Sequence, residues 1–101
     1  MFPSNIVPIK NVNEEELQKV GRFGVEVYNN NGERLIYLRV VNGLFYTING
    51  GRIRIFIIVI EVINDDDIPC SYIAKVEYYV FNRMMPQLSS FEDVLKEFNK
   101  H

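Results

Sequence analysis

Ile48-Asn49-Gly50-Gly51-Arg52-Ile53-Arg54-Ile55-Phe56-Ile57-Ile58-Val59-Ile60-Glu61-Val62-Ile63 is the stretch that decides the fold class. Its Asn-Gly pair is among the strongest hairpin signals, because both residues tolerate positive φ. The apolar run behind it is β-branched and aromatic, is interrupted by Arg54 and Glu61, and is too short to cross a bilayer as a helix. It reads as a buried strand. Working outward, Leu35 to Ile48 supplies its antiparallel partner, and Ser71 to Phe81 a third long strand. Polar, proline-bearing breaks from Asn64 to Pro69 and from Asn82 to Pro86 turn the set into a meander.

Ahead of the strands, Asn13 followed by Glu14, Glu15 and Glu16 predicts a helix start: an N-cap side chain, a capping-box acid and negative charge at the positive end of the helix dipole. Leu17, Val20, Gly21, Gly24, Val27 and Tyr28 recur at helical spacing, so the helix is expected from about Glu14 to about Tyr28, with Leu17, Val20, Gly24 and Val27 inward. Each glycine lowers helix propensity by about 1 kcal/mol relative to alanine, which points to close backbone approach to a sheet. Asn29-Asn30-Asn31-Gly32 stops the helix. Pro3 and Pro8 keep the first residues extended, with a short strand expected around Val7 to Lys10. The spacing of Phe91, Val94, Leu95 and Phe98 is helical, although a strand there would complete the sheet.

At 101 residues the chain fits a single domain spanning 1–101, and with 48% hydrophobic and 24% charged residues it is expected to fold on its own. Eleven basic against thirteen acidic side chains give a net charge of −2, the wrong sign for holding nucleic acid by phosphate neutralisation. Cys70 and His101 are the only residues of their kinds, so neither an internal disulfide nor a Cys/His zinc cluster is expected, and no catalytic carboxylate pair stands out. We expect no enzyme, no metal or other cofactor and no membrane partner. Cys70 has no basic neighbour in sequence to activate it, the Asp65-Asp66-Asp67 run lacks the spacing of a calcium loop, and Arg52 and Arg54 are too few for a nucleic-acid platform. Met1-Phe2-Pro3-Ser4-Asn5 does not read as a signal peptide, which leaves the compartment open between secreted and cytoplasmic.

The helix segment Val20-Gly21-Arg22-Phe23-Gly24-Val25-Glu26-Val27-Tyr28-Asn29 resembles the helix signature of plant cystatins, the phytocystatin inhibitors of papain-like cysteine proteases, departing from it at Gly24, where Ala or Ser is usual. Pro8-Ile9-Lys10-Asn11, Val40-Val41, Ala74-Lys75-Val76 and Ser90-Phe91-Glu92 are similar to further family segments in the same order. The resemblance implies an α+β, cystatin-like fold with one long helix packed across a four- to five-stranded antiparallel sheet. It also favours a strand near Phe91.

The resemblance further implies a wedge of three parts that blocks a papain-like cysteine protease reversibly and competitively: an N-terminal arm, a first hairpin loop and a second hairpin loop. Here the first loop corresponds to Tyr46-Thr47-Ile48-Asn49-Gly50, with Tyr46 in place of the family's Gln and Ile48 and Gly50 close to its Val and Gly. Phe81, followed by Asn82, stands where the second loop carries Trp, without the preceding proline, and Ser4 and Asn5 occupy the place of the arm's glycine. Weakened inhibition is the expectation. Read without the resemblance, Tyr46, Ile48, Gly50 and Phe81 are ordinary strand and turn residues, and a non-inhibitory binding or structural protein on the same scaffold is the alternative. A monomer is expected, or a strand-exchanged dimer, because Ile55 to Ile60 is a charge-free, strongly β-prone segment, and the resemblance implies that such an exchange takes place at the first loop.

Overall fold

The computed structural model describes residues 6–79 and 86–94. It is an α+β arrangement of one helix packed against a five-stranded antiparallel sheet. In chain order the elements are β1 (Val7–Pro8), α1 (Glu15–Asn29), β2 (Ile36–Ile48), β3 (Ile53–Ile63), β4 (Pro69–Tyr79) and β5 (Gln87–Asp93). The sheet order follows the chain, β1-β2-β3-β4-β5. The expected meander is therefore present, with the arm added as a two-residue edge through Val7 opposite Phe45 and Pro8 opposite Leu44.

Burial on α1 comes from Leu17, Val20, Gly21, Gly24 and Val25. Val25 replaces the expected Val27, which is half-buried at the margin of the stripe. The helix starts one residue later than its capping signal predicts. Glu14 takes the N-cap position and makes no side-chain capping bond, because Asn11 claims the preceding turn, accepting from Asn13 N on its side chain at 3.1 Å and from Glu14 N on its carbonyl at 3.4 Å. Glu15 and Glu16 still place negative charge in the first turn.

Two devices lock the helix to β2. The Gln18 amide accepts from Val40 N at 3.1 Å, accepts from the Tyr37 hydroxyl and donates to the Val12 carbonyl. It sits between the two register shifts of β2, at Tyr37/Arg39 and Val40/Asn42, where bulging bends a strand and interrupts its ladder. At the other helix end, Asn29 Nδ2 donates to Leu35 O at 2.8 Å while Leu35 N donates to Asn29 Oδ1 at 2.9 Å, which fixes where β2 begins.

The helix-side core joins Leu17, Val20, Val25, Leu35 and Val40 to Ile58, Ile60 and Val62 of β3 and to Ala74 and Val76 of β4. Each fully buried isoleucine or valine contributes roughly 1.5–3 kcal/mol. Gly21 is indispensable to the packing: a Cβ there would lie 2.5 Å from Val40 Cγ2 and 2.9 Å from Tyr37 Cε1. Gly24 is buried as expected but less tightly held, its nearest atoms being 3.7 Å from such a Cβ.

β5 settles the ambiguity around Phe91 in favour of a strand. Ser90, which in a helix would cap, instead pairs with Lys75 of β4. Phe91 stacks on Tyr28 at 4.4 Å and on Tyr72 at 4.9 Å, closing the helix C-terminal end of the core. β4 begins at Pro69, two residues before the sequence expectation, because a proline is tolerated as the first residue of a strand.

Candidate functional site

Ile48 pairs with Ile53 at the tip of the β2–β3 hairpin, leaving Asn49 to Arg52 as a four-residue connection. Asn49, Gly50 and Gly51 all take positive φ, at 54°, 67° and 86°, so the turn chemistry of the sequence is realised three residues in a row. Gly51 N donates to Ile48 O at 3.2 Å and Arg52 N to Asn49 O at 3.3 Å, holding the tip. A Cβ at Gly50 would meet nothing within 4 Å, so a partner has an unobstructed approach to this backbone.

Register brings two further chain segments to the same end of the sheet. Val7 lies opposite Phe45, three residues before the end of β2, and Tyr79 at the end of β4 lies opposite Ile53 at the start of β3. The arm, the first hairpin tip and the exit from β4 thus share one edge. Of the sequence-predicted site residues, Tyr46, Thr47, Ile48, Asn49 and Gly50 are gathered in this hairpin; Ser4, Asn5, Phe81 and Asn82 lie outside the described residues.

Side chains in a strand alternate between faces, and the helix-side core fixes which face is which. Phe45 and Thr47 lie on the helix side of β2, opposite Phe56 and Arg54, whereas Tyr46 and Ile48 lie on the outer side, opposite Ile55 and Ile53. Tyr46 is half-buried three residues before the exposed turn, so its ring belongs to the sheet surface rather than to the tip.

A feature the sequence reading missed is a groove of about 420 Å³ beneath this edge, bounded by the arm from Val7 to Asn11, by Glu14, Glu16 and Leu17 of the helix start, and by Phe45, Arg54 and Phe56 of the sheet. Its floor is aromatic: Phe45 and Phe56 are 5.1 Å apart, and Tyr78 meets Phe56 edge-on at 5.6 Å. Burial and the nearby Glu16 carboxylate push the Tyr78 hydroxyl above its ordinary pKa. The signal was available in element lengths: fifteen helical residues span about 22 Å, whereas thirteen strand residues span about 43 Å. A helix of that length leaves one end of the sheet uncovered.

Cys70 lies opposite Val62 and packs against the helix-side core. Burial, aided by Asp93, pushes its thiol above the ordinary value, which disfavours the thiolate needed of a nucleophile. The acidic run from Asp65 to Asp67 is exposed and organised locally, with Asn64 Oδ1 accepting from Asp66 N at 2.9 Å and from Ile68 N at 3.0 Å. Among the described residues no group of three or more His, Cys, Asp or Glu side chains converges as a metal site, and no helix is long and apolar enough to cross a membrane. The chain matches no protein-family model and no curated protein.

Proposed function

We propose that the chain is a reversible, competitive inhibitor of papain-like cysteine proteases, acting as a wedge through the edge formed by the arm, the Ile48–Asn49–Gly50 tip and the segment that follows β4. The observation that carries this proposal is that Val7 on the arm, the Ile48–Ile53 hairpin tip and Tyr79 at the end of β4 lie at one end of the sheet. A hairpin tip held by its own backbone bonds enters a preformed cleft with little ordering cost, so a few apolar contacts suffice for useful affinity. Blocking a cleft in this way asks for no titratable or nucleophilic group on the inhibitor. Ser4 and Asn5 on the arm side, and Phe81 and Asn82 on the other, are the flanking contacts proposed alongside Tyr46, Thr47, Ile48, Asn49 and Gly50.

The test is titration of papain, at several concentrations of a fluorogenic peptide substrate, with the purified full chain. The expected result is a rise in apparent KM at constant kcat, reversed on dilution, with the chain recovered uncleaved. No inhibition at chain concentrations well above the enzyme's would refute the proposal.

A second proposal is favoured by one specific observation, the outward placement of Tyr46 beside Ile55. That position suits a binding or structural protein on the same scaffold that leaves proteases untouched, and the same titration separates the two.

A further inference from the structure

β3 is apolar on both of its faces, and only one of them is covered by the helix. Ile58, Ile60 and Val62 point into the helix-side core. Ile55, Ile57 and Val59 alternate with them and point outward, joined by Leu44 and Tyr46 of β2 and Ile73 of β4. Ile55 is only 3% exposed although it stands outside that core. A central strand apolar on both sides is the pattern of a sheet packed on both sides. Toward the hairpin-tip end of this outer face stand two opposite charges, Lys75 and Glu77, two residues apart on β4. Lys75 lies beside Ile57, and Glu77 beside Ile55. The Glu77 carboxylate is held in place by the Tyr79 hydroxyl, which donates to Oε2 at 2.9 Å.

We infer that this outer face docks a second copy of the chain, sheet against sheet, about a two-fold axis that runs across the strands between Lys75 and Glu77. Such an axis reverses each strand over its own copy. It sets Lys75 of each protomer against Glu77 of the other, and simultaneously Tyr46 against Leu44, because both pairs share the same register rows. The face is therefore self-complementary in charge and in apolar character, as a two-fold interface must be. Two sheets in this contact lie about 10 Å apart, a gap that a lysine and a glutamate side chain together bridge. About this axis residues 42–48, 53–59 and 73–79 lie over their own copies, a projected outer area of roughly 330 Å². Two copies thus hide roughly 700 Å² before the relief of the side chains is counted, the size of a weak, reversible association.

This association goes beyond the proposed inhibition and is tested without a protease. Sedimentation equilibrium of the full chain is expected to show a monomer–dimer equilibrium that reverses on dilution, with Kd of about 0.1–1 mM. Lys75→Glu and Glu77→Lys each set like charges against one another and should weaken dimerisation about tenfold or more, while the double exchange K75E/E77K restores it. Ile57→Lys should give a monomer whose circular dichroism and thermal melt show that it remains folded. A wild-type chain that stays wholly monomeric at about 2 mM overturns the inference. So does association indifferent to both charge changes, or a dimer that forms only on heating and survives dilution, which is the behaviour of exchanged strands.

Discussion

Alanine at Gly21 and alanine at Gly24 should move stability in opposite directions, although both sit on the buried face of one helix three residues apart. Replacing a helical glycine by alanine removes backbone entropy from the unfolded chain and favours the fold by about 1 kcal/mol. At Gly24 the new Cβ meets Ala74 Cβ, Ile60 Cδ1 and Leu88 Cδ1, each at 3.7 Å, which is ordinary contact distance. Burying that methyl adds about 0.8 kcal/mol, so Gly24→Ala should stabilise by roughly 1–2 kcal/mol. At Gly21 the same atom would lie 2.5 Å from Val40 Cγ2 and 2.9 Å from Tyr37 Cε1. Neither neighbour yields cheaply. Val40 is 1% exposed and its branched side chain has a stiff χ1, while the Tyr37 hydroxyl is bonded to Gln18 and its ring lies under the Arg22 guanidinium. Overpacking of this kind costs about 1–3 kcal/mol, which offsets and then exceeds the helix gain. The two variants should therefore differ by roughly 2–3 kcal/mol, a separation of several degrees or more in melting temperature for a domain of this size. Urea unfolding followed by circular dichroism measures this directly, with equal m-values as the check that both variants unfold from the same state. If Gly21→Ala raises the midpoint as much as Gly24→Ala does, α1 does not approach β2 as closely as described and the argument fails.

In the first loop, Tyr46→Gln should tighten papain inhibition about tenfold or more by restoring an amide to polar groups that a tyrosine leaves unpaired at about 1–3 kcal/mol. Gly50→Glu, with an unchanged melt confirming its fold, should abolish inhibition by putting a charge where backbone must approach closely; equal inhibition by both variants and the parent would contradict the proposed edge. Asn29→Ala removes both bonds to the Leu35 backbone and should cost about 1–3 kcal/mol in urea unfolding. The hydroxyls of Tyr28, Tyr37, Tyr72 and Tyr78 are all raised above the ordinary 10.0, chiefly by burial, and Tyr72 the most. The folded state therefore holds these protons more tightly than the unfolded chain does. Their contribution is fully present below pH 10 and is lost as pH rises through the folded values, so stability should fall above about pH 10, with a shallower slope for Tyr72→Phe. An unfolding free energy flat from pH 9 to about 11.5 would exclude this linkage.

How much of this architecture could be read from residues alone depends on how local each cause is. The hairpin at Asn49-Gly50-Gly51 was legible because positive φ is a property of the turn residues themselves, and all three adopt it. The meander followed from β-branched runs separated by polar breaks, and its order is that of the chain. Capping failed one residue from its mark because Asn13 and Asn11 compete for the same turn, and only the three-dimensional path of the arm decides between them. Val25 displaced Val27 because the stripe is centred by the neighbour it meets, here β2 through Val40 and Tyr37, and not by periodicity alone. Phe91 is the clearest case of tertiary context overruling local pattern: its spacing reads as helix, yet stacking on Tyr28 and Tyr72 together with backbone pairing to β4 holds it in a strand. The candidate site divides along the same line. The tip was visible as turn chemistry, but the grouping of arm, tip and β4 exit on one edge is a consequence of register, which no single segment encodes. Register also separates the hairpin residues that a motif treats as one unit, sending Tyr46 and Ile48 to the outer face and Thr47 to the groove side. A partner at this edge therefore meets the two halves of the motif from different directions, so substitutions at Tyr46 and Thr47 act on separate surfaces and should combine additively in their effect on binding.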